Sequence, residues 1–348
     1  MTMLTEQAGP ADDQSLRPVP WRRMAGVTWR QHRITLAAIA AFLGALAVGL
    51  WIAGQKTHHA YAAMLAACHP VVSAGCDGLI ASFTGMNGFL SNGSALQPVP
   101  VLIGAFVGAP VLARELESGT FRFAWTQGFG RWRWTLAKLV PLAIAVAAGT
   151  GAFGVLLSWY YQPYFASVNQ TFGVQGVSPF APGLFDLRGV AFATWALAAF
   201  AIGALAGILV RRVLPAIVAT LAAYAALAFA TGAFLREHYL TPLLTSTPNI
   251  SGSSWIISQW WTRNGKFAFN GWPSYSLIQQ FCNQPPPAGQ SKATGLAQCL
   301  SHHGYTLWTT YQPASRFWQF QWIEGCWLLA LSALLIATTV WLVRRRAT

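Results

Sequence analysis

Charge is what this chain has least of. Asp, Glu, Lys and Arg together make up 9% of its 348 residues, and only 9 of them are acidic, against roughly 25% charged residues in soluble domains. That scarcity excludes an ordinary soluble globular protein. Catalytic signatures are missing too. No G-x-x-x-x-G-K-[ST] phosphate loop occurs, because Gly265-Lys266 has neither the upstream glycine spacing nor a following Ser or Thr. There is no H-E-x-x-H, no C-x-x-C and no nucleophile elbow. The expectation is a chain that is not an enzyme and holds no metal or cofactor of its own. Two histidine pairs, His58-His59 and His302-His303, are read as surface residues rather than ligands, since adjacent side chains in a helix or strand diverge.

Long apolar runs are what the chain has instead. Six stretches stand out: Ile34–Ile52, Ala95–Ala113, Leu136–Tyr160, Gly189–Val210, Val213–Leu235 and Phe320–Val343. About 20 residues of helix cover a hydrocarbon core of roughly 30 Å. The fold class expected is therefore an all-α polytopic membrane protein with six transmembrane helices.

The formal charge of +13 follows this topology. With the N-terminus inside, the inner side collects 15 of the 22 Lys and Arg. They are Arg17, Arg22, Arg23, Arg30 and Arg33; Arg114, Arg122, Arg131, Arg133 and Lys138; Arg211 and Arg212; and Arg344, Arg345 and Arg346. Most hug helix ends, where the positive-inside rule counts. Both termini are expected in the cytoplasm, and the basic balance is read as contact with anionic membrane lipid, with no nucleic-acid partner. The late start of the first apolar run argues against a cleaved signal peptide, and Met1–Pro20 reads as a disordered cytoplasmic tail.

Cysteines fall on the other side. Cys68 and Cys76 lie in the first outer segment, Cys282 and Cys299 in the last, and Cys326 in the sixth stretch. Proximity suggests Cys68–Cys76 and Cys282–Cys299 disulfides, although four cysteines allow three connectivities and four free thiols are the alternative. Closing the loop from 282 to 299 is worth about 3 kcal/mol in the chain-entropy model.

Four connecting regions carry information. Trp21–Arg33 places Trp21, Met24, Ala25 and Thr28 on one helical face and Arg22, Arg23, Arg30 and Arg33 on another. It is read as an interfacial amphipathic helix, with a mere positive flank as the alternative. Gly54–Ser94 reads as an outer segment rich in Gly, Asn and Ser. The second stretch carries Pro98, Pro100 and Pro110 and is expected to be kinked. Residues 236–319, rich in Trp, Tyr, Ser, Asn and Pro, are long enough for a sizeable outer cap of short mixed elements; residues 344–348 form a short inner tail.

The loop from Arg114 to Lys138 is the most informative. Glu115 and Glu117 open it, Gly119-Thr120 breaks it, Thr126 and Arg131 follow, and Lys138 closes it. Phe121, Phe123 and Trp125 are aromatic anchors suited to a groove on a soluble partner, with the flanking charges fixing orientation. A solvated basic loop is the alternative. Lys138, near a helix end, is expected to snorkel. Glu324, near the outer end of the sixth stretch, has three readings: it gates a pathway or contacts a cationic substrate, it pairs with Arg316, or it sits at headgroup level.

These features resemble the type-2 permeases of ATP-binding-cassette (ABC) exporters, of the bacterial drug- or antibiotic-export kind. The resemblance rests on six spans with an interfacial helix before the first, and on Glu115, Glu117, Gly119, Thr120, Thr126, Arg131, Trp134 and Lys138 in order between spans two and three. The segments VTWRQHR (Val27–Arg33), REHYLTP (Arg236–Pro242) and YQPASRFWQFQWIE (Tyr311–Glu324) add to it. The last outer segment is longer than in many such permeases.

The resemblance implies that Arg114–Lys138 is a coupling region pressed on a separate ATP-binding subunit. The candidate contacts are Arg114, Glu115, Glu117, Gly119, Thr120, Phe121, Phe123, Trp125, Thr126 and Arg131, with Arg211 and Arg212 as a second contact. Two ABC-type ATP-binding subunits carrying ATP and Mg, and a second permease chain (the same or a relative), would complete the unit in a bacterial plasma membrane. The competing reading is a non-transporting sensor or immunity protein that binds a ligand through its outer cap.

Overall fold

The structure, a computed structural model, describes residues 21–68, 76–85, 96–119, 131–168, 178–247, 250, 252–283 and 292–346. The expected tail Met1–Pro20 lies outside the described residues, as do positions 120–130. Among the described residues, six helices are long and apolar enough to cross a bilayer: Leu36–Cys68, Pro98–Ser118, Trp132–Ser167, Gly189–Val210, Val213–His238 and Ala314–Arg345. Each coincides with one expected stretch, so the six-span, mostly helical reading holds. They are called spans one to six below.

Span one belongs to a single helix, Trp21–Cys68, of 48 residues. At about 1.5 Å per residue it is roughly 72 Å long, more than twice a hydrocarbon core. No break at Arg33 sets off an interfacial segment, and Ile52 is not its end. The reason is local: the helix contains no proline, and Ala60, Ala62, Ala63, Ala66 and Ala67 sustain it where hydropathy falls. The expected outer segment therefore begins as helix. A second helix, Cys76–Gly85, returns beside it, and the Cys68–Cys76 disulfide, with Cα atoms 5.6 Å apart, closes the corner. Met64 and Phe83 are buried between the two.

Span two accommodates its prolines in two ways. Pro98 and Pro100 fall in the first turn, where a missing N–H leaves no bond unmade. Pro110 follows a π turn, Gly104–Gly108, closed by Ala109 N–H on the Gly104 carbonyl. The wider turn relieves the clash a proline ring makes with the preceding turn of an α-helix.

Span four is the centre of the bundle, with 67% of its apolar window buried against 11% for spans one and five. Small residues make this possible. Gly104 and Gly108 of span two lie against the backbone of Ala199 and Phe200, and Gly203 and Gly207 of span four lie against that of Gly104, Gly108 and Ala109. A β-carbon on Gly203 would sit 2.7 Å from the Ala109 nitrogen, and one on Gly207 2.6 Å from the Ala109 carbonyl oxygen. Without a hydrophobic drive between helices in lipid, this backbone-to-backbone approach is what holds two spans together.

The segment between spans five and six folds as a four-stranded antiparallel sheet in the order β1-β4-β2-β3: β1 Leu243–Thr245, β2 Trp255–Arg263, β3 Lys266–Asn270 and β4 Tyr305–Gln312. Asn264 and Gly265, both at positive φ, turn β2 into β3, as a two-residue Asn-Gly hairpin requires. Helices Tyr275–Phe281 and Lys292–His302 lie over it, joined by the Cys282–Cys299 disulfide (Cα–Cα 5.9 Å), with Trp261, Leu300 and Tyr305 buried between. Trp255 anchors the sheet to Phe180 and Phe320 at the start of span six. This is the sheet end of the bundle; the turn between spans four and five marks the opposite, Arg211 end.

Candidate functional site

Polar side chains concentrate at the two ends of the bundle. At the Arg211 end, span two finishes in the amphipathic turn Ala109–Ser118 and stops at Gly119, whose φ of +71° only glycine adopts freely. Leu116 packs inward on the main core while Arg114 stays exposed. Glu115 forms an ion pair with Lys138 of span three, and the ammonium also lies 4.4 Å from the Trp134 ring centre. Lys138 is 4% exposed, so it does not snorkel. A carboxylate within reach inside the bundle offsets the desolvation that otherwise drives lysine toward water.

Glu117 accepts the Val213 N–H at 3.0 Å, occupying one of the free donors that open span five. Span four ends with Arg211 at φ 59°, its N–H on the Gly207 carbonyl at 3.0 Å, and Arg212 is extended. A left-handed arginine where glycine is usual makes the turn as short as it can be and leaves both guanidinium groups exposed. Two stretches far apart in sequence, 114–119 and 211–213, are thus hydrogen-bonded neighbours. Arg131 opens the helix of span three. Thr120, Phe121, Phe123, Trp125 and Thr126 lie outside the described residues.

At the sheet end, Glu324 is fully buried and surrounded by donors. Arg236 gives it Nε at 3.0 Å and Nη2 at 2.8 Å, Trp195 gives Nε1 at 2.8 Å, and the Tyr239 hydroxyl gives a fourth bond at 3.2 Å. Trp327 Nε1 donates to the Tyr239 oxygen at 2.9 Å. Arg236 also pairs with Asp186 and lies 4.3 Å from the Phe185 ring centre. A π turn, Thr231–Leu235, precedes Arg236 and turns it inward while Phe234 and Leu235 stay exposed.

Arg316, the partner in one of the three readings of Glu324, binds the Thr241 carbonyl and Gln312 instead. Gln312 also donates to the Leu240 carbonyl at 2.7 Å. The segments REHYLTP and YQPASRFWQFQWIE therefore build this network together. Asp186, not singled out by sequence, had a usable signal: where carboxylates are this rare, one beside a span end must be paired.

Around the network, burial and the nearby Glu324 charge push the Asp186 carboxyl up to about 7 against the pull of Arg236. Burial likewise raises the Tyr239 phenol. Burial lowers the Arg188 guanidinium to about 10; it lies between the Phe165 and Phe317 rings at 4.2 and 4.9 Å.

The histidine pairs do not converge. His58 stacks on Trp159 and reaches its carbonyl at 3.1 Å, and His303 lies on Phe281. Among the described residues, no three His, Cys, Asp or Glu side chains gather as metal ligands.

A family model described as ABC-2 membrane transporter related matches residues 40–236, more than half of the chain. The match runs from span one to Arg236, so it takes in the Arg211 end and stops short of the sheet. No curated protein and no solved structure matches the chain.

Proposed function

This chain belongs to the ABC-2 membrane transporter related family, and on that premise we propose that it is the permease subunit of an ABC exporter. In this reading it moves a hydrophobic or amphiphilic compound (a drug, an antibiotic or a lipid) outward across a bacterial plasma membrane. The energy comes from ATP and Mg on two separate ATP-binding subunits, and a second permease chain completes the unit. The chain itself transmits force.

The observation that carries the proposal is the joint at the Arg211 end. Glu115 ties span two to span three, and Glu117 ties span two to the first turn of span five. A push on exposed Arg114 or Arg212 is therefore delivered to three spans at once. A partner presenting carboxylates to Arg114, Arg211 and Arg212 has the charge to dock there.

The test is purification of the chain from native membranes in mild detergent, with mass spectrometry of whatever accompanies it. An ATP-binding subunit should come with it and be lost on Arg114→Glu with Arg212→Glu, while melting is unchanged. Glu115→Ala is a poor probe, because it strands buried Lys138. A chain that reproducibly emerges alone would overturn the proposal and direct attention to the sheet end.

A further inference from the structure

A cleft of about 710 Å³ opens between the helix of span one and spans two and three. Leu43, Ile103, Val107 and Gly149 line it, and its one hydroxyl, on Thr150, is already bonded to the Val146 carbonyl at 2.6 Å. Nothing in the walls calls for water, so an apolar occupant suits the cleft better than solvent. Arg33 stands at one end, with Arg30 a turn away, both exposed, and Trp29 forms part of the rim. Among the described residues no carboxylate is within ion-pair distance of Arg33.

Dimensions select the occupant. From Arg33 to Leu43 the helix rises about 15 Å, half of a hydrocarbon core of roughly 30 Å. The cleft is thus as deep as one leaflet, apolar along its length, and cationic where headgroups lie. We infer that it holds an acyl chain of one membrane phospholipid with an anionic headgroup, the phosphate resting on Arg33. Enclosure by three helices distinguishes this lipid from those that slide over convex helix faces. The inference does not depend on the permease reading.

The experiment is native mass spectrometry of the full chain, taken through nanodiscs holding equal amounts of phosphatidylglycerol and phosphatidylcholine. One phosphatidylglycerol should remain on each wild-type chain. A β-carbon on Gly149 meets no atom within 4 Å, so Gly149→Leu projects a side chain into the cleft and should lower retention severalfold with unchanged melting. Ala40→Phe, on the facing wall, is a second filler with the same expected result. Arg33→Gln should lower the preference for phosphatidylglycerol about fivefold. Equal retention by wild type and both fillers would overturn the inference. So would a symmetric cross-link between cysteines placed at Ala37, because a second copy would then occupy the cleft.

Discussion

Replacing Glu324 by Leu tests the network at the sheet end most directly. Glu324 is fully buried, Arg236 is 2% exposed, and the glutamate accepts four hydrogen bonds. The change leaves a buried guanidinium with Asp186 alone and removes the acceptor of Trp195 and Tyr239. Breaking a buried pair from one side costs about 3–5 kcal/mol. With an unfolding entropy near 2.1 cal/mol/K per residue over 348 residues, that lowers the melting midpoint by about 4–7 °C. The double variant, Arg236→Met with Glu324→Leu, removes both charges along with their desolvation and should recover part of the loss, because Trp195 and Tyr239 still lack their acceptor. Thermal melts of the four proteins in one detergent give the coupling. A single variant that melts with wild type, or a double variant as damaged as the two singles combined, would refute the network as a structural lock.

Four further outcomes follow from the same geometry. Gly203→Leu drives a side chain into the span-two backbone and should prevent accumulation of folded protein in membrane fractions, where Gly149→Leu accumulates normally. At the other end, Glu115→Ala should cost about 3 kcal/mol because Lys138 is left buried, whereas Lys138→Met, leaving a carboxylate that is 19% exposed, should cost less on the same melts. Glu117→Gln weakens one exposed hydrogen bond and should cost under about 1 kcal/mol. Asp186 binds its proton more tightly when packed than when released, so its contribution is complete below about pH 4 and fades as pH rises through about 7. Melting midpoints from pH 5 to 8 should therefore fall more steeply for wild type than for Asp186→Asn.

Hydropathy made the spans legible because lipid imposes one demand, about 20 apolar residues, that can be read locally. Where the demand lapses, so does the reading. Past Ile52 the helix of span one runs on through Lys56, His58 and His59, with His58 stacked on Trp159 of span three, and a hydropathy argument stops too early. The β2–β3 hairpin carried a legible Asn264-Gly265 signal between aromatic strands, but Trp- and Ser-rich composition masks strand alternation. Spacing of four in Gly104/Gly108 and Gly203/Gly207 was likewise visible; which spans those glycines join was not. Glu324 illustrates the limit. Its need for a partner follows from its place in an apolar run, while Arg236, the partner it takes rather than Arg316, lies 88 residues away just after a π turn. The disulfides were within reach because a short loop confines both ends.

The two ends differ in how firmly they hold span five. At the Arg211 end it meets span two through one exposed hydrogen bond, Glu117 to Val213, worth about 1 kcal/mol at most, and through Val213, Ala216 and Ile217 packed on Ala109 and Ala113. At the sheet end Arg236 is bound to Glu324 and Asp186 and covered by Phe185, an arrangement several times costlier to break. Between them only 11% of the apolar window is buried. Spans two and four, by contrast, meet backbone to backbone through four glycines and cannot slide without losing that fit. Spans two and four are therefore the rigid pair, and of the two attachments of span five the charged one at Arg236 is the costlier to break. On the proposed reading, a partner docked where 114–119 and 211–213 meet works beside the less costly of the two attachments.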